Sequence, residues 1–212
     1  MTHHLIEFRF QGKAKRDFKK LIYEVDKKFR LGSARVKRPV PHITIIAPFS
    51  TNNQGRLISD FKEICKKHPL IRFNISGFGS FERTKVVYVN INPSLEMIRF
   101  RKDLINRLKA YCVLKSTDIN SFLGLFKIAR EYSPHATIAT KLDKNKFEKI
   151  KSYLNRKRKP NIRYTLTRVT LIKNKRILYE YDFLLKRLLN RREAKSKGLY
   201  SKTIERLKND NR

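Results

Sequence analysis

"VPHITIIAPF", residues 40–49, has a partial echo in "SPHATIAT", residues 133–140. In both, a proline precedes His-x-Thr and an apolar, β-rich run follows. Along a strand residues i and i+2 share a face, so His42 and Thr44 project together while Ile43 and Ile45 project the other way. His135 and Thr137 obey the same rule. With 5 His and 11 Thr among 212 residues, chance supplies roughly 0.26 His-x-Thr tripeptides. Two, spaced 93 residues apart and both following proline, point instead to a duplicated element.

Outward from these stretches the pattern repeats. Residues 3–10 alternate like a strand, and Phe18, Leu21, Ile22, Val25 and Phe29 then recur at helical spacing. After the first motif, Leu57, Ile58, Phe61, Ile64 and Cys65 mark a helix face that ends before Pro69. "IRFNISGFGSF" and "KVVYVNI" read as a hairpin, and Pro93 opens a helix through Leu108. A strand is expected over Phe122–Ile128 before the second motif. Asp143 is the expected N-cap of a helix carrying Phe147, Ile150 and Leu154. "NIRYTLTRVTLI" and "RILYEYDF" form a closing hairpin across "KNK", and an amphipathic helix is expected from Leu184 onward. Strands and helices on either side of each motif predict two similar lobes.

The residue types suit one chemistry. Imidazole titrates near pH ~6.5, so of two rings on opposite walls of a cleft one can take a proton while the other gives one, without a metal. Threonine hydroxyls can hold phosphoryl oxygens where charge builds up. His42, Thr44, His135 and Thr137 are therefore the candidate catalytic set. A core or strand-edge role is the bland alternative for any one His-x-Thr, and the pairing is what weighs against it.

Composition narrows the partner. Lys and Arg number 51 against 18 Asp and Glu, a formal net charge of +33. Residues 183–212 hold ten bases and three acids, so +26 of the +33 falls on residues 1–182. Phosphates recruit such a surface through counterion release, and nucleic acid is the expected partner. Two isolated cysteines, Cys65 and Cys112, without CxxC spacing read as reduced core thiols, and no apolar run reaches spanning length. A cytoplasmic monomer with no membrane attachment is expected.

"PHITI" and "PHATI" resemble the two signatures of the two-histidine (2H) phosphoesterases, in particular the RNA 2′,3′-cyclic phosphodiesterase or 2′-5′ RNA ligase family. The resemblance spans roughly residues 3–183. It implies an α+β, bilobal, pseudo-two-fold fold, with two antiparallel sheets and flanking helices around a central cleft. Residues 1–183 would form that domain, each lobe contributing one motif, and residues 184–212 a basic helical extension. It further implies hydrolysis of an RNA-terminal 2′,3′-cyclic phosphate with no cofactor, His42 giving the proton, His135 taking it, and Thr44 and Thr137 holding phosphate. Reverse 2′-5′ ligation is a second expectation. Competing readings are a basic RNA-binding protein that grips phosphate without turnover, and a 2′-5′ oligonucleotide phosphodiesterase. Many relatives carry an arginine directly after the second motif, where this chain has "ATK".

Neighbouring residues add weaker candidates. Arg130 is a candidate phosphate contact and Tyr132 a candidate platform for the terminal base, against readings as a solvated charge and ordinary packing. Phe49 and Phe81 could line a nucleotide pocket but as strand-end aromatics read more readily as core, "ARVKR" (34–38) reads as either an RNA guide or a solvated loop, and His68 as a helix-end residue. His3 and His4 lack further ligands at metal spacing and are not assigned to a metal.

Overall fold

The computed structural model describes residues 3–33, 39–115 and 132–209. The elements run β1 (His3–Arg9), α1 (Gly12–Lys28), β2 (His42–Ser50), α2 (Gln54–Lys67), β3 (Ile71–Phe81), β4 (Val86–Pro93), α3 (Leu95–Leu108) and β5 (His135–Ala139). They continue through α4 (Lys144–Asn155), β6 (Asn161–Leu166), β7 (Arg168–Lys173), β8 (Arg176–Asp182), β9 (Arg187–Asn190), α5 (Arg191–Ala194) and α6 (Lys197–Asn209). The strand expected at Phe122–Ile128 lies outside the described residues, as do Arg130 and the segment 34–38.

The strands form two antiparallel sheets, ordered β2-β1-β7-β8-β9 and β5-β4-β3-β6. The architecture is the α+β, two-sheet arrangement expected from the sequence. Each motif strand lies at an edge of its own sheet, so the lobes present their His-x-Thr segments in equivalent places. One apolar core runs through both lobes. At its centre, Phe8 of β1 and Phe10 just after it meet Phe73 of β3 and Tyr164 of β6, and Phe10 also meets Phe18 of α1, with ring centroids 4.3–6.4 Å apart. Burying each such phenyl ring contributes about 1.5–3 kcal/mol, which ties the two sheets together.

Local chemistry sets the helix starts. Asn53, Ser94 and Asp143 each accept a hydrogen bond from the backbone N–H three residues on, at 3.0, 3.2 and 2.8 Å. Asp143 caps as expected. Pro93, by contrast, ends β4 rather than opening α3, because Ser94 supplies the cap.

Two further expectations are corrected. "NIRYTLTRVTLI" is not one strand: β6 pairs with β3 in one sheet and β7 with β1 in the other, the chain crossing between lobes at Thr167. The chain after Leu184 does not begin as a helix. Arg187–Asn190 pairs with β8, and helix returns only at Arg191, where Asn190 and Glu193 form a reciprocal capping box.

Helix α6 is fastened to the sheet by buried charge. The Arg168 side chain, 1% exposed, donates from Nε to Asp182 at 2.7 Å and from Nη2 to the Thr203 hydroxyl at 2.6 Å. Its Nη1 lies 3.4 Å from Glu180, which also accepts from Thr170 at 2.7 Å. The Thr203 hydroxyl in turn donates to Asp182 at 2.5 Å. Burial pushes the Glu180 carboxyl up, while the Thr170 hydroxyl and Arg168 pull it back. Every charge in the cluster has a partner, the condition under which buried ions are tolerated.

Candidate active site

The two motifs fold alike to the level of single atoms. In β2, His42 and Thr44 are half-buried while Ile43 and Ile45 are buried; in β5, His135 and Thr137 are half-buried while Ala136 and Ile138 are buried. Each ring is anchored the same way, His42 Nδ1 2.8 Å from the Val40 carbonyl and His135 Nδ1 2.9 Å from the Ser133 carbonyl. A carbonyl only accepts, so both Nδ1 atoms carry hydrogen and donate. Both Nε2 atoms are thereby left for chemistry.

The structure brings the two strands together. β2 and β5 are in contact, and Tyr132, just before the second motif, donates its hydroxyl to the Thr44 carbonyl at 3.0 Å. Its ring stacks under the Arg101 guanidinium, 4.5 Å away, whose Nε donates to the Ile45 carbonyl at 3.1 Å. Tyr132 is thus a strut joining the two motif strands.

A cleft of about 660 Å³ opens between the lobes, lined by His42 and Thr137 together with Leu5, Glu7, Arg9, Lys141, Lys146 and Lys175. A second cavity of about 510 Å³ lies between α1 and β3, among Phe18, Leu21, Ile75, Phe78 and Val89. It is mostly apolar, rimmed by Lys13, Asp17, Lys157 and Arg158, and holds none of the motif residues, whereas His42 and Thr137 line the first cleft and Thr44 and His135 lie outside that lining.

Three features of the site were not anticipated. In the pairing of β1 with β2, Arg9 lies opposite His42 and Glu7 opposite Thr44. The buried Glu7 carboxylate pairs with Arg9 Nε at 2.8 Å and stands 3.8 Å from His42 Nε2. Around His135, Tyr88 and Phe81 form an aromatic box, each ring centroid 4.9 Å from the imidazole and 4.5 Å from the other. Phe81, read from sequence as core, is only half-buried and edges onto that ring. Gly79 lies opposite Tyr88 and makes room for it: a Cβ there would sit 2.5 Å from the ring. Alternation along "LIEFRF" does place Glu7 and Arg9 on one face, but pairing with β2 is non-local and no local signal reveals it.

The box has an electrostatic result. Burial lowers the His135 pKa below its ordinary value near 6.5, the Ser133 hydrogen bond opposing and charge on His42 adding to the fall.

A two-sheet α+β fold whose edge strands meet at paired His-x-Thr motifs defines a class, the 2H phosphoesterases. The chain belongs to the 2′-5′ RNA ligase superfamily, whose model matches residues 19–177. No curated protein matches the sequence. Solved structures share the fold at low identity. The crystal structure of Escherichia coli LigT in apo form is similar with a TM-score of 0.50 and 16% identity, over 89% of this chain and 92% of that one. LigT complexed with 3′-AMP gives 0.50 and 17% over 89% and 92%. Kluyveromyces marxianus Usb1 gives 0.47 and 9% over 82% and 95%.

Proposed function

We propose that the protein hydrolyses the 2′,3′-cyclic phosphate at the end of an RNA strand, using His42, Thr44, His135 and Thr137. The observation that carries this reading is the identical anchoring of two imidazoles on two edge strands in contact. The asymmetry of their surroundings supports a division of labour. His135, held neutral by its aromatic box, takes a proton from water at Nε2, and the water oxygen forms the new bond to phosphorus. The bond from phosphorus to one ribose oxygen breaks, and that oxygen leaves with the proton of His42 Nε2–H. The product is a phosphomonoester, and the two rings have exchanged protonation states. Thr44 and Thr137 donate to the nonbridging oxygens as charge gathers there.

Run in reverse with an RNA 5′-hydroxyl in place of water, the same proton transfers give a 2′-5′ linkage. Water in excess makes hydrolysis the dominant direction. The test is disappearance of a nucleoside 2′,3′-cyclic phosphate in the presence of EDTA. Wild type should turn it over, and His42→Ala and His135→Ala should each lose at least about 100-fold, the lower end of the usual range for a general acid or base, while retaining RNA affinity. Wild-type protein that binds RNA yet never hydrolyses the substrate would establish the non-catalytic alternative.

A further inference from the structure

The cleft does not stop at His42. From Arg9, opposite His42, its floor continues along β1 through Glu7 to Leu5, four residues or roughly 13 Å at strand rise. Ile172, opposite Leu5 on β7, extends the apolar floor. The walls beyond it are basic. Lys141, Lys146 and Asp143 come from the turn after β5 and the start of α4, and Lys175 from the tip of the β7–β8 hairpin.

The charges there do not cancel. Glu7 is paired with Arg9 at 2.8 Å, and Asp143 faces Lys146 at 4.0 Å. Lys141 and Lys175 are left with no acidic partner among the described residues, facing the same cavity from opposite lobes. The hairpin tip that carries Lys175 is held in place: Asn174 N–H donates to the His3 carbonyl at 2.9 Å, and its side-chain oxygen accepts from His3 N–H at 3.3 Å. Asn174 and Lys175 both take left-handed φ, 46° and 66°, as a two-residue hairpin turn requires.

We propose that Lys141 and Lys175 form a second anion subsite that holds the backbone phosphates leading up to the reacting end of a single-stranded RNA. The proposal rests on the cyclic-phosphate reading for where that end lies. A mononucleotide fills only the His42 end of the cleft, whereas a trinucleotide lays its ribose and base over Leu5 and Ile172 and its inner phosphates between the two lysines. The enzyme is then one for oligomer ends, and its preference over mononucleotides is electrostatic.

The test compares kcat/KM for a cyclic-ended trinucleotide RNA with that for a cyclic mononucleotide, across a salt series. Lys141→Ala/Lys175→Ala should lower the trinucleotide preference by about 10-fold at low salt, and the salt slope of that preference by about 0.7 per lysine removed. Lys62→Ala/Lys66→Ala, which removes the same charge from exposed positions on α2, should leave the preference in place. The proposal is overturned if the cleft variant leaves the preference intact, if both substrates slow in parallel, or if the α2 variant lowers it equally. Should wild type turn over neither substrate, the cyclic-phosphate reading fails by itself. The subsite is then decided by the affinity of a 3′-phosphorylated trinucleotide relative to a 3′-mononucleotide in the same variants, with the same outcomes counting for and against.

Discussion

Gly79→Ala adds one methyl group beneath the Tyr88 ring. Gly79 is not among the residues with left-handed φ, so its backbone accepts alanine and the effect is steric. The new Cβ would lie 2.5 and 2.7 Å from Cε2 and Cζ of the Tyr88 ring and 2.8 Å from its hydroxyl oxygen, and ordinary contact begins near 3.4 Å, so the ring must withdraw by about 0.9 Å. Tyr88 is 8% exposed and packs against Phe81 and His135, so it withdraws by pushing on them. Overpacking of this kind costs about 1–3 kcal/mol of stability. A displacement near 1 Å at a proton-transferring ring costs on the order of 10- to 100-fold in rate. The assay is a cycle of Gly79→Ala, Tyr88→Ala and the double variant, read by hydrolysis of a nucleoside 2′,3′-cyclic phosphate and by thermal melting. With the ring gone, the methyl has nothing to push, so Gly79→Ala should cost almost nothing in the Tyr88→Ala background. Equal losses in both backgrounds, or a lowered melting temperature with undiminished turnover, would refute the coupling of Gly79 to His135 through Tyr88.

Other expectations are simpler. Phe81→Ala uncovers His135 and lets its pKa rise toward 6.5; because a base works only when deprotonated, the acid limb of the kcat/KM profile should move to higher pH. The same ring should make wild type less stable as pH falls from 6.5 toward the lowered folded value, since the unfolded chain takes the proton first; melting across that window checks this. Thr203→Val deprives Asp182 and Arg168 of a buried hydroxyl and should cost about 1.5–3 kcal/mol, a melting temperature lower by about 3–12 °C. Burial pushes the Cys65 thiol far above its ordinary value, so it should resist a thiol reagent in native protein and react at once on unfolding.

The parts of this molecule that were legible in its sequence are those fixed by short-range chemistry. The twin His-x-Thr alternation predicts two half-buried pairs on two strands, and Asp143 announces the start of α4, because side-chain period and capping act over a few residues. What lies opposite His42 is decided by how β1 and β2 align, and that alignment reflects the whole apolar core. Glu7 and the aromatic box were therefore hidden. The break at Thr167 was missed because both halves of "NIRYTLTRVTLI" are good strand, and only their separate partners divide them. Arg187–Asn190 misled for the converse reason: Leu188 and Leu189 suit either element, and pairing with β8 decides for strand.

The cluster around Arg168 has a consequence for how such a chain can vary. Arg168, Thr170, Glu180, Asp182 and Thr203 lie on three elements, yet each answers for the polarity of another. A single replacement strands a charge in a dry interior, whereas exchanging the group together for apolar residues of similar volume does not. Drift at these positions should therefore proceed in concert, with α6 and the strands beneath it changing as one inherited unit.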